Sequence, residues 1–249
     1  WDYCQPSLDE GDVLEIIGAG WVEAVRYRDK SGVHEIPADH VALHEGVVPN
    51  TQLTRLLELD HAWSMAQRCF HPILDAYGET SAADVFVAGD GGGILGWRAA
   101  QAAGALAAGQ IACRLGAIPE SERDLRASQH KARIGAERRL RRFLDTLYPA
   151  PDWLRTPDDR TIICRCEEIS AGQVREMARL GCAGPNQLKA YLRAGMGACQ
   201  GRMCGLSVTE ILAETQGRSP EVVGYGRIRP PIKPVTLDEL ASLYQESTS

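Results

Sequence analysis

Four cysteines in two close pairs constrain this chain more than any other feature of its sequence. One residue separates Cys164 from Cys166, four separate Cys199 from Cys204, and 32 residues lie between the pairs. That interval accommodates two short helices that bring the pairs together. Four such thiolates can hold either a zinc ion or an iron–sulfur cluster. The C-x-C spacing argues mildly against zinc, whose cysteine pairs are more often separated by two to four residues.

Glycines surround the second pair, at positions 195, 197, 201 and 205. Because glycine has no Cβ, we expect the backbone to approach the sulfurs closely and to point N–H groups at them. Arg165 and Arg202 stand beside the cysteines in sequence, and their charge would offset that of a thiolate-bound cluster.

The stretch from about residue 160 to 216 resembles the 2Fe–2S domain of bacterioferritin-associated ferredoxin type, through its C-x-C pair, the interval and the G-x-G-x-C-x4-C-G segment. The resemblance implies that four cysteines ligate the cluster: Cys164, Cys166, Cys199 and Cys204. Two alternatives remain open at this point, a zinc site and four buried cysteines without a metal.

The composition narrows the class of protein. With 249 residues, 44% of them apolar, the chain is long enough for one or two packed domains. A net charge of −6 argues against general nucleic-acid binding, and no run of 18 apolar residues is present to span a membrane. Eight cysteines without an export signal indicate a reduced, cytoplasmic setting. The cysteines without ligand spacing are interpreted as small apolar residues: Cys4, Cys69, Cys113 and Cys182.

The first part of the chain alternates short apolar runs with turn residues. The pattern predicts a strand at residues 13–17, a hairpin over 21–36 and a short strand at 39–43. Thr51 is placed to cap a short helix through Leu59. Residues 60–83 are interpreted as irregular.

A βα unit is predicted further along. Residues 84–90 read as a buried strand, glycines 91 to 93 follow, and an alanine-rich helix over 94–115 is expected to pack against a sheet. Asp90 would then lie at the carboxyl end of the strand, where such sheets bind ligands, and could accept hydrogen bonds from a ribityl hydroxyl. An aspartate that caps a helix after a tight turn is the alternative explanation. A basic helix over 121–147 comes next, and its charged face is interpreted as solvated.

Several segments resemble the closing part of flavoproteins with two dinucleotide-binding domains: Val47–Leu53, Thr80-Ser81, Val85–Asp90, the alanines and glycine of 99–107, and the tail Arg229–Leu237. The resemblance covers about residues 12–240. It is closest to flavoprotein subunits of opine oxidase, hydrogen cyanide synthase and proline or hydroxyproline dehydrogenase complexes. It implies an α/β fold, part of the two-dinucleotide-binding-domain fold, followed by a small, mainly α 2Fe–2S domain.

The same resemblance implies the remaining expectations. FAD would bind at Gly89, Asp90, Gly91, Gly92 and Gly93, and NAD(P) is a further candidate cofactor. The chain would relay electrons from an amine, opine or amino acid in a hetero-oligomer with a second, substrate-oxidising flavoprotein subunit. No residue is assigned as a catalytic acid, base or nucleophile. The alternative function is a docking or assembly module that holds 2Fe–2S or zinc.

The chain departs from the flavoprotein pattern in two ways. It contains no G-x-G-x-x-G fingerprint, so it is expected to be the C-terminal part of a larger subunit, and Trp97-Arg98 replaces small residues near the start of the flavin helix. The expected domains are a partial FAD/NAD(P)-binding domain, a helical connector, the 2Fe–2S domain and a tail, at 1–118, 119–158, 159–216 and 217–249.

Overall fold

The computed structural model describes residues 12–42, 44 and 46–243, which divide into two compact units between residues 44 and 46. The first unit holds an antiparallel sheet in the order β1-β2-β3, with the strands Asp12–Ile17, Ala24–Asp29 and Gly32–Pro37. In its tight turn, Asp29 accepts hydrogen bonds from the N–H groups of Ser31 (2.7 Å) and Gly32 (3.1 Å). The predicted hairpin is confirmed. The strand predicted at 39–43 is wrong for residues 39–42, and residue 43 lies outside the described part.

The second unit begins with helix α1 and an antiparallel hairpin of β4 and β5, which span Gln52–Leu56, His61–Ser64 and Cys69–Pro72. Trp63 and Phe70 face each other across the hairpin, with ring centroids 4.9 Å apart in an edge-to-face arrangement. The interpretation of residues 60–83 as irregular is therefore wrong for the hairpin at residues 61–72, whereas residues 73–83 form loops and turns as predicted. The turn lacks the usual Asn-Gly signal, and Arg68 adopts the left-handed conformation there (φ 47°).

The segment predicted as a buried strand, residues 84–90, is instead an extended loop with half-buried or exposed side chains. Phe86 forms one isolated bridge with Glu79, and no other described residue extends this pairing into a ladder. Gly89–Gly92 form a single 3-10 turn. Strand structure depends on a paired neighbour, which local sequence does not reveal.

Two long helices follow, α2 (Trp97–Arg114) and α3 (Glu120–Leu147). They confirm the predicted helices, and α3 begins directly after Pro119. Small residues on α2 are buried, among them Ala99, Ala102 and Ala107. The helix packs along α3, so the expected packing against a sheet is wrong for the described residues.

The remaining elements are short, and most of them are helices: α4 (Asp152–Arg155), β6 (Ile162–Cys164), β7 (Ile169–Ser170), α5 (Ala171–Arg179), α6 (Pro185–Leu192), α7 (Gly205–Gln216), α8 (Pro220–Val223) and α9 (Leu237–Ser242). Their core is built on the fully buried side chains of Val174, Leu188, Ile211 and Leu212. The two short helices expected between the cysteine pairs are confirmed as α5 and α6. The four domain limits given above stay predictions.

Candidate functional site

The first cysteine pair is positioned by the small hairpin of β6 and β7. Cys164 ends β6 opposite Ile169, and its side chain is buried (1% exposed). Cys166 lies in the connecting turn and is exposed. A capping box between Ser170 and Gln173 starts α5 immediately after β7. Because β6 ends at Cys164 and the chain turns directly after it, one thiol lies in the core and the other at the surface.

The second pair lies in the loop between α6 and α7. Arg193 ends α6 in the left-handed conformation (φ 60°), and Gln200 and Gly201 adopt it again within the loop (φ 52° and 77°). Cys204 directly precedes α7 and is buried (1% exposed), whereas Cys199 is half-buried. These turns return the loop to the β6–β7 hairpin.

The structure brings the four cysteines together as two neighbouring pairs. Cys164 lies close enough to Cys204 in the core to raise the pKa of that thiol, and Cys166 lies close enough to Cys199 to lower the pKa of that thiol. Among the described residues, no three His, Cys, Asp or Glu side chains close around a single point as for one metal ion. The donor set is thus organised as two pairs.

The two thiols of the loop differ in acidity. Burial raises the pKa of the Cys199 thiol, but hydrogen bonds from the N–H groups of Met203, Gly201 and Arg202 and from Cys166 outweigh it, so that pKa is lowered. For Cys204, burial and the neighbouring Cys164 both raise the pKa. A coordinating thiol is deprotonated by the metal itself, so both groups fit a bound metal cluster.

The glycines of the loop make room for its neighbours, as predicted. A Cβ on Gly197 would lie 2.2 Å from the Cβ of Cys166, and one on Gly205 would lie 2.2 Å from the hydroxyl oxygen of Tyr225. A Cβ on Gly195 would lie 3.6 Å from the Cα of Gly201. At Gly197 and Gly205 a methyl group cannot fit without displacing its neighbour.

Three residues that the sequence did not single out support this loop from outside. The Gln52 side-chain amide donates to the carbonyl oxygen of Gln200 (3.0 Å), and the Tyr225 hydroxyl donates to that of Gly201 (3.3 Å). The Arg55 guanidinium lies 4.1 Å from the ring centroid of Tyr225. Gln52 and Arg55 come from α1, so a segment far away in sequence holds the loop that carries Cys199 and Cys204.

Burial shifts the pKa values of two of these supporting residues, Arg55 and Tyr225. It lowers the pKa of Arg55 to about 10, which leaves the guanidinium charged at neutral pH, and it raises the pKa of Tyr225 to about 12. Arg55 also lies 4.6 Å from the ring centroid of Phe70. The side-chain atoms Gln52 Oε1 and Arg55 Nη2 are buried without a hydrogen-bond partner among the described residues. A cavity of about 190 Å³ lined by Gln52, Phe70 and Tyr225 adjoins them and is large enough for ordered water.

The glycine segment predicted to bind a flavin lines a second site, an apolar cleft of about 500 Å³. Gly89, Asp90, Gly92 and Gly93 form part of its wall, together with alanines of α2. The Asp90 Oδ1 atom accepts hydrogen bonds from the N–H groups of Leu95 and Gly96, both 3.0 Å long. Asp90 thus closes the turn before α2, whereas the N-cap residue of that helix is Gly96 and no side chain caps it, so the capping role given as the alternative is wrong. Among the described residues its Oδ2 atom has no recorded hydrogen bond.

An ion-pair network around the buried Glu210 connects α4 and the β4–β5 turn to α7 of the cysteine domain. Glu210 of α7 lies 3.1 Å from Arg68 of the β4–β5 turn and 3.4 Å from Arg155 of α4. Arg68 also pairs with Asp152 (2.6 Å).

The other described cysteines form no disulfide bridge, and Cys69 and Cys182 are buried, as expected for small apolar residues. Cys4 lies outside the described residues. Within the described ranges, no helix has the length and apolar character needed to cross a membrane.

Comparison with known proteins identifies relatives of the segment that carries the four cysteines and of nearly the whole chain. Residues 162–214 match the family described as BFD-like [2Fe-2S] binding domain. The chain is 43% identical to a subunit of opine oxidase from Rhizobium meliloti, over 96% of this chain and 46% of that protein. It is 31% identical to the HcnB subunit of hydrogen cyanide synthase from Pseudomonas aeruginosa, over 99% of this chain and 52% of that protein. The chain spans about half the length of the curated relatives it matches.

A solved structure has the same fold. The crystal structure of L-proline dehydrogenase from P. horikoshii superposes with a TM-score of 0.67 at 20% identity, over 92% of this chain and 44% of that one. The predicted fold class, a mixed α/β part followed by a small 2Fe–2S-binding domain, is confirmed. The resemblance to subunits of opine oxidase and hydrogen cyanide synthase is confirmed as well.

Proposed function

We propose that the chain is the electron-relaying part of an iron–sulfur flavoprotein oxidoreductase subunit, on the premise that residues 162–214 match the BFD-like [2Fe-2S] binding domain family. The observation that carries the proposal is the arrangement of four cysteines as two neighbouring pairs inside a shell of glycines and backbone N–H groups. A two-iron cluster needs such a set, because each iron takes two thiolates besides the bridging sulfides.

The chain's own residues would divide the work of holding the cluster. Cys164, Cys166, Cys199 and Cys204 would supply the thiolates. The N–H groups of Gly201, Arg202 and Met203 would stabilise negative charge on the Cys199 sulfur, since hydrogen bonds to cluster sulfurs favour the reduced, more negative form. When bound, the cluster supplies one-electron transfer.

FAD is the second cofactor of the proposal, and NAD(P) a further candidate. The cleft at Gly89–Gly93 is concave and largely apolar, as expected for part of a site that holds an aromatic ring system. Asp90 has one carboxylate oxygen engaged by the turn, and its second oxygen would accept from a ribityl hydroxyl. Residues beyond those described would have to complete the site.

The substrate and the partner follow from the relatives. These are named as subunits of opine oxidase and of hydrogen cyanide synthase, which supports a hetero-oligomer whose other flavoprotein subunit oxidises an amine, opine or amino acid. In this proposal the chain transfers electrons that its partner removes from the substrate.

Co-expression of a full-length subunit with its neighbouring reading frames tests this function. We expect a stable complex that reduces a redox dye when an amine or amino-acid substrate is added, and that loses this activity when Cys199 is replaced by serine. A Cys113→Ser variant, altered at a half-buried cysteine outside the four, is the matched control. Full dye reduction by the isolated polypeptide, with its cluster removed, would contradict the relay. A colourless protein with stoichiometric zinc would favour the docking-module alternative.

A further inference from the structure

A large groove adjoins the metal-binding loop. It has a volume of about 1110 Å³ and lies between α6, the loop residues Gly195–Ala198 and the proline-rich tail that runs through Pro230 and Pro231. This volume exceeds that of most small-molecule pockets, which extend to about 1,000 Å³. The groove is also open along its length, because the tail forms one of its walls as an extended segment without helix or strand structure.

The charge of the groove has a single sign. Its lining contains five cationic side chains and no carboxylate: Lys189, Arg193, Arg227, Arg229 and Lys233. Arg227 pairs with Glu58 (2.7 Å) and Arg193 with Glu167 (3.1 Å). For Arg229 and Lys233, no ion pair is formed with any described residue. Positive charge is thus concentrated here although the whole chain carries a net charge of −6.

The groove faces the exposed side of the cysteine set. Gly197, which lines it, approaches Cys166 so closely that an added Cβ would lie 3.1 Å from the Cys166 sulfur. Cys166 is exposed, whereas Cys164 and Cys204 are buried. Electron exchange with another protein requires close approach, and a protein bound in the groove would lie beside Gly197 and so close to the exposed Cys166.

We infer that this groove is the docking surface for an acidic redox protein that exchanges single electrons with the cluster. The inference rests on the proposed function, because it requires a 2Fe–2S cluster at the four cysteines. In the exchange no bond is made or broken: the reduced cluster loses one electron and the metal centre of the acidic protein gains it. Complementary charge would bring the two together and orient them.

A protein is favoured over a small anion by the nature of the cations. Arg193 ends α6, and Arg227, Arg229 and Lys233 follow along the tail; all four are exposed, as at the rim of a protein interface. A built anion site would instead hold its cations buried and fixed around one point. Lys189, the only half-buried member, already donates to the carbonyl oxygen of Arg227 and so stabilises the wall of the groove.

Two small proteins of opposite charge serve as probes, plastocyanin (acidic, copper) and cytochrome c (basic, haem). Each takes one electron from the dithionite-reduced chain, Cu(II) becoming Cu(I) and Fe(III) becoming Fe(II), and stopped-flow absorbance follows the rate. We expect plastocyanin to react quickly at low ionic strength and more slowly as salt is added. The double variant Arg229→Glu/Lys233→Glu should slow plastocyanin about tenfold and accelerate cytochrome c.

The double variant Arg133→Glu/Arg139→Glu on the exposed surface of α3 is the matched control, because it changes the net charge equally. It should alter either rate less than about twofold. Equal slowing in both variants, or no slowing in the groove variant, overturns the docking surface. So does micromolar binding of inorganic phosphate that Arg229→Glu/Lys233→Glu abolishes, which would make the groove a small-anion site. An electron paramagnetic resonance signal of the reduced cluster in every variant separates these failures from failure of the proposed function, in which no cluster forms.

Discussion

The cysteine loop and the glycine cleft both depend on glycine, but the surroundings of the glycines differ. Around the cysteines, the space that a Cβ would need at Gly197 or Gly205 is occupied by Cys166 or Tyr225 of the same chain. At the cleft, a Cβ on Gly92 would lie 2.6 Å from Leu74 Cδ1, whereas one on Gly93 would meet nothing within 4 Å. Gly197 and Gly205 thus permit close packing, whereas Gly93 permits a backbone angle of φ 128° beside open space.

The difference shows which region is complete within the chain. The cysteine domain has a continuous core that includes Cys164 and Cys204 as well as Val174 and Ile211. The cleft segment has one isolated bridge and half-buried side chains. The cysteine shell is therefore shaped by its own packing, whereas the cleft offers a surface that a ligand or further residues would have to complete.

The largest expected effect is the loss of the cluster when a core cysteine is changed. Cys204→Ser should remove nearly all iron and sulfide, because its sulfur lies inside the packed core and the remaining polar group has no metal to bind. Cys166→Ser should retain more iron, since Cys166 is exposed and water can replace it. Iron and sulfide analysis after anaerobic purification measures both. Equal loss in the two variants would mean that burial does not distinguish the pairs.

A smaller effect is expected from adding one methyl group to the cysteine loop. Gly197→Ala should lower the free energy of unfolding by about 1–3 kcal/mol, because the new Cβ overlaps Cys166. Gly104→Ala in α2 is the control: its Cβ would meet nothing within 4 Å, so it should raise helix stability by up to about 1 kcal/mol. Chemical denaturation compares the two. A stabilised Gly197→Ala variant would show that the loop is not tightly packed.

Replacement of Arg55 tests the support that α1 gives to the loop. Arg55→Met should lower the free energy of unfolding by about 2 kcal/mol, since the buried guanidinium contacts the rings of both Phe70 and Tyr225. Arg98→Met removes an exposed arginine located 5.3 Å from the ring centroid of Trp97 and should lower the free energy of unfolding by about 0.5 kcal/mol. Thermal unfolding measures both variants. If they cost the same, burial adds nothing to the Arg55 contacts.

At the cleft, Asp90→Ala should cost about 1 kcal/mol of unfolding free energy, because the N–H groups of Leu95 and Gly96 lose their acceptor. Asp90→Asn keeps an acceptor oxygen and should cost less. In a full-length subunit that binds FAD, Asp90→Ala should also weaken the binding of FAD by about 1.5–3 kcal/mol, since a charged acceptor is lost. Unchanged FAD affinity, measured by fluorescence titration, would place the ribityl chain elsewhere.

The smallest expected effect is a dependence on pH through His61. Burial, and then the charge of Arg55, lower the pKa of this histidine. The folded chain therefore binds the proton more weakly than the unfolded chain, and stability present above about pH 6.5 is lost as the pH falls below it. His61→Asn should flatten this acid slope, while replacement of the exposed His40 should leave it. Denaturation midpoints between pH 7.5 and 5.5 measure this acid slope. An unchanged slope in His61→Asn would contradict the attribution of the slope to His61.

The same contrast explains what the sequence predicts. The helices around the cysteines follow from local signals, such as the Ser170–Gln173 capping box and the apolar spacing of Val174 and Ala178. The loop's glycines likewise follow from their positions beside the cysteines. These signals suffice because the domain packs mainly on itself.

The support from α1 could not be predicted from local pattern, because it joins residues far apart in sequence. Gln52 contacts Gln200, and Arg55 contacts Tyr225, and each pair is polar or aromatic without a distinguishing motif. The hairpin of Trp63 and Phe70 was missed for a related reason, since cross-strand packing replaces the usual turn signal. Both the β4–β5 hairpin and the contacts of α1 with the cysteine loop depend on residues that are too far apart in sequence for a local pattern to reveal.

The metal content of the anaerobically purified chain, measured together with acid-labile sulfide and the spin of the dithionite-reduced protein, tests whether the four cysteines hold a 2Fe–2S cluster. We expect a brown protein with about two irons and two sulfides per chain and one unpaired electron after reduction. Cys204→Ser should be colourless, while Cys113→Ser should not. One zinc ion per chain, with neither iron nor sulfide, would show that the cysteines do not hold an iron–sulfur cluster.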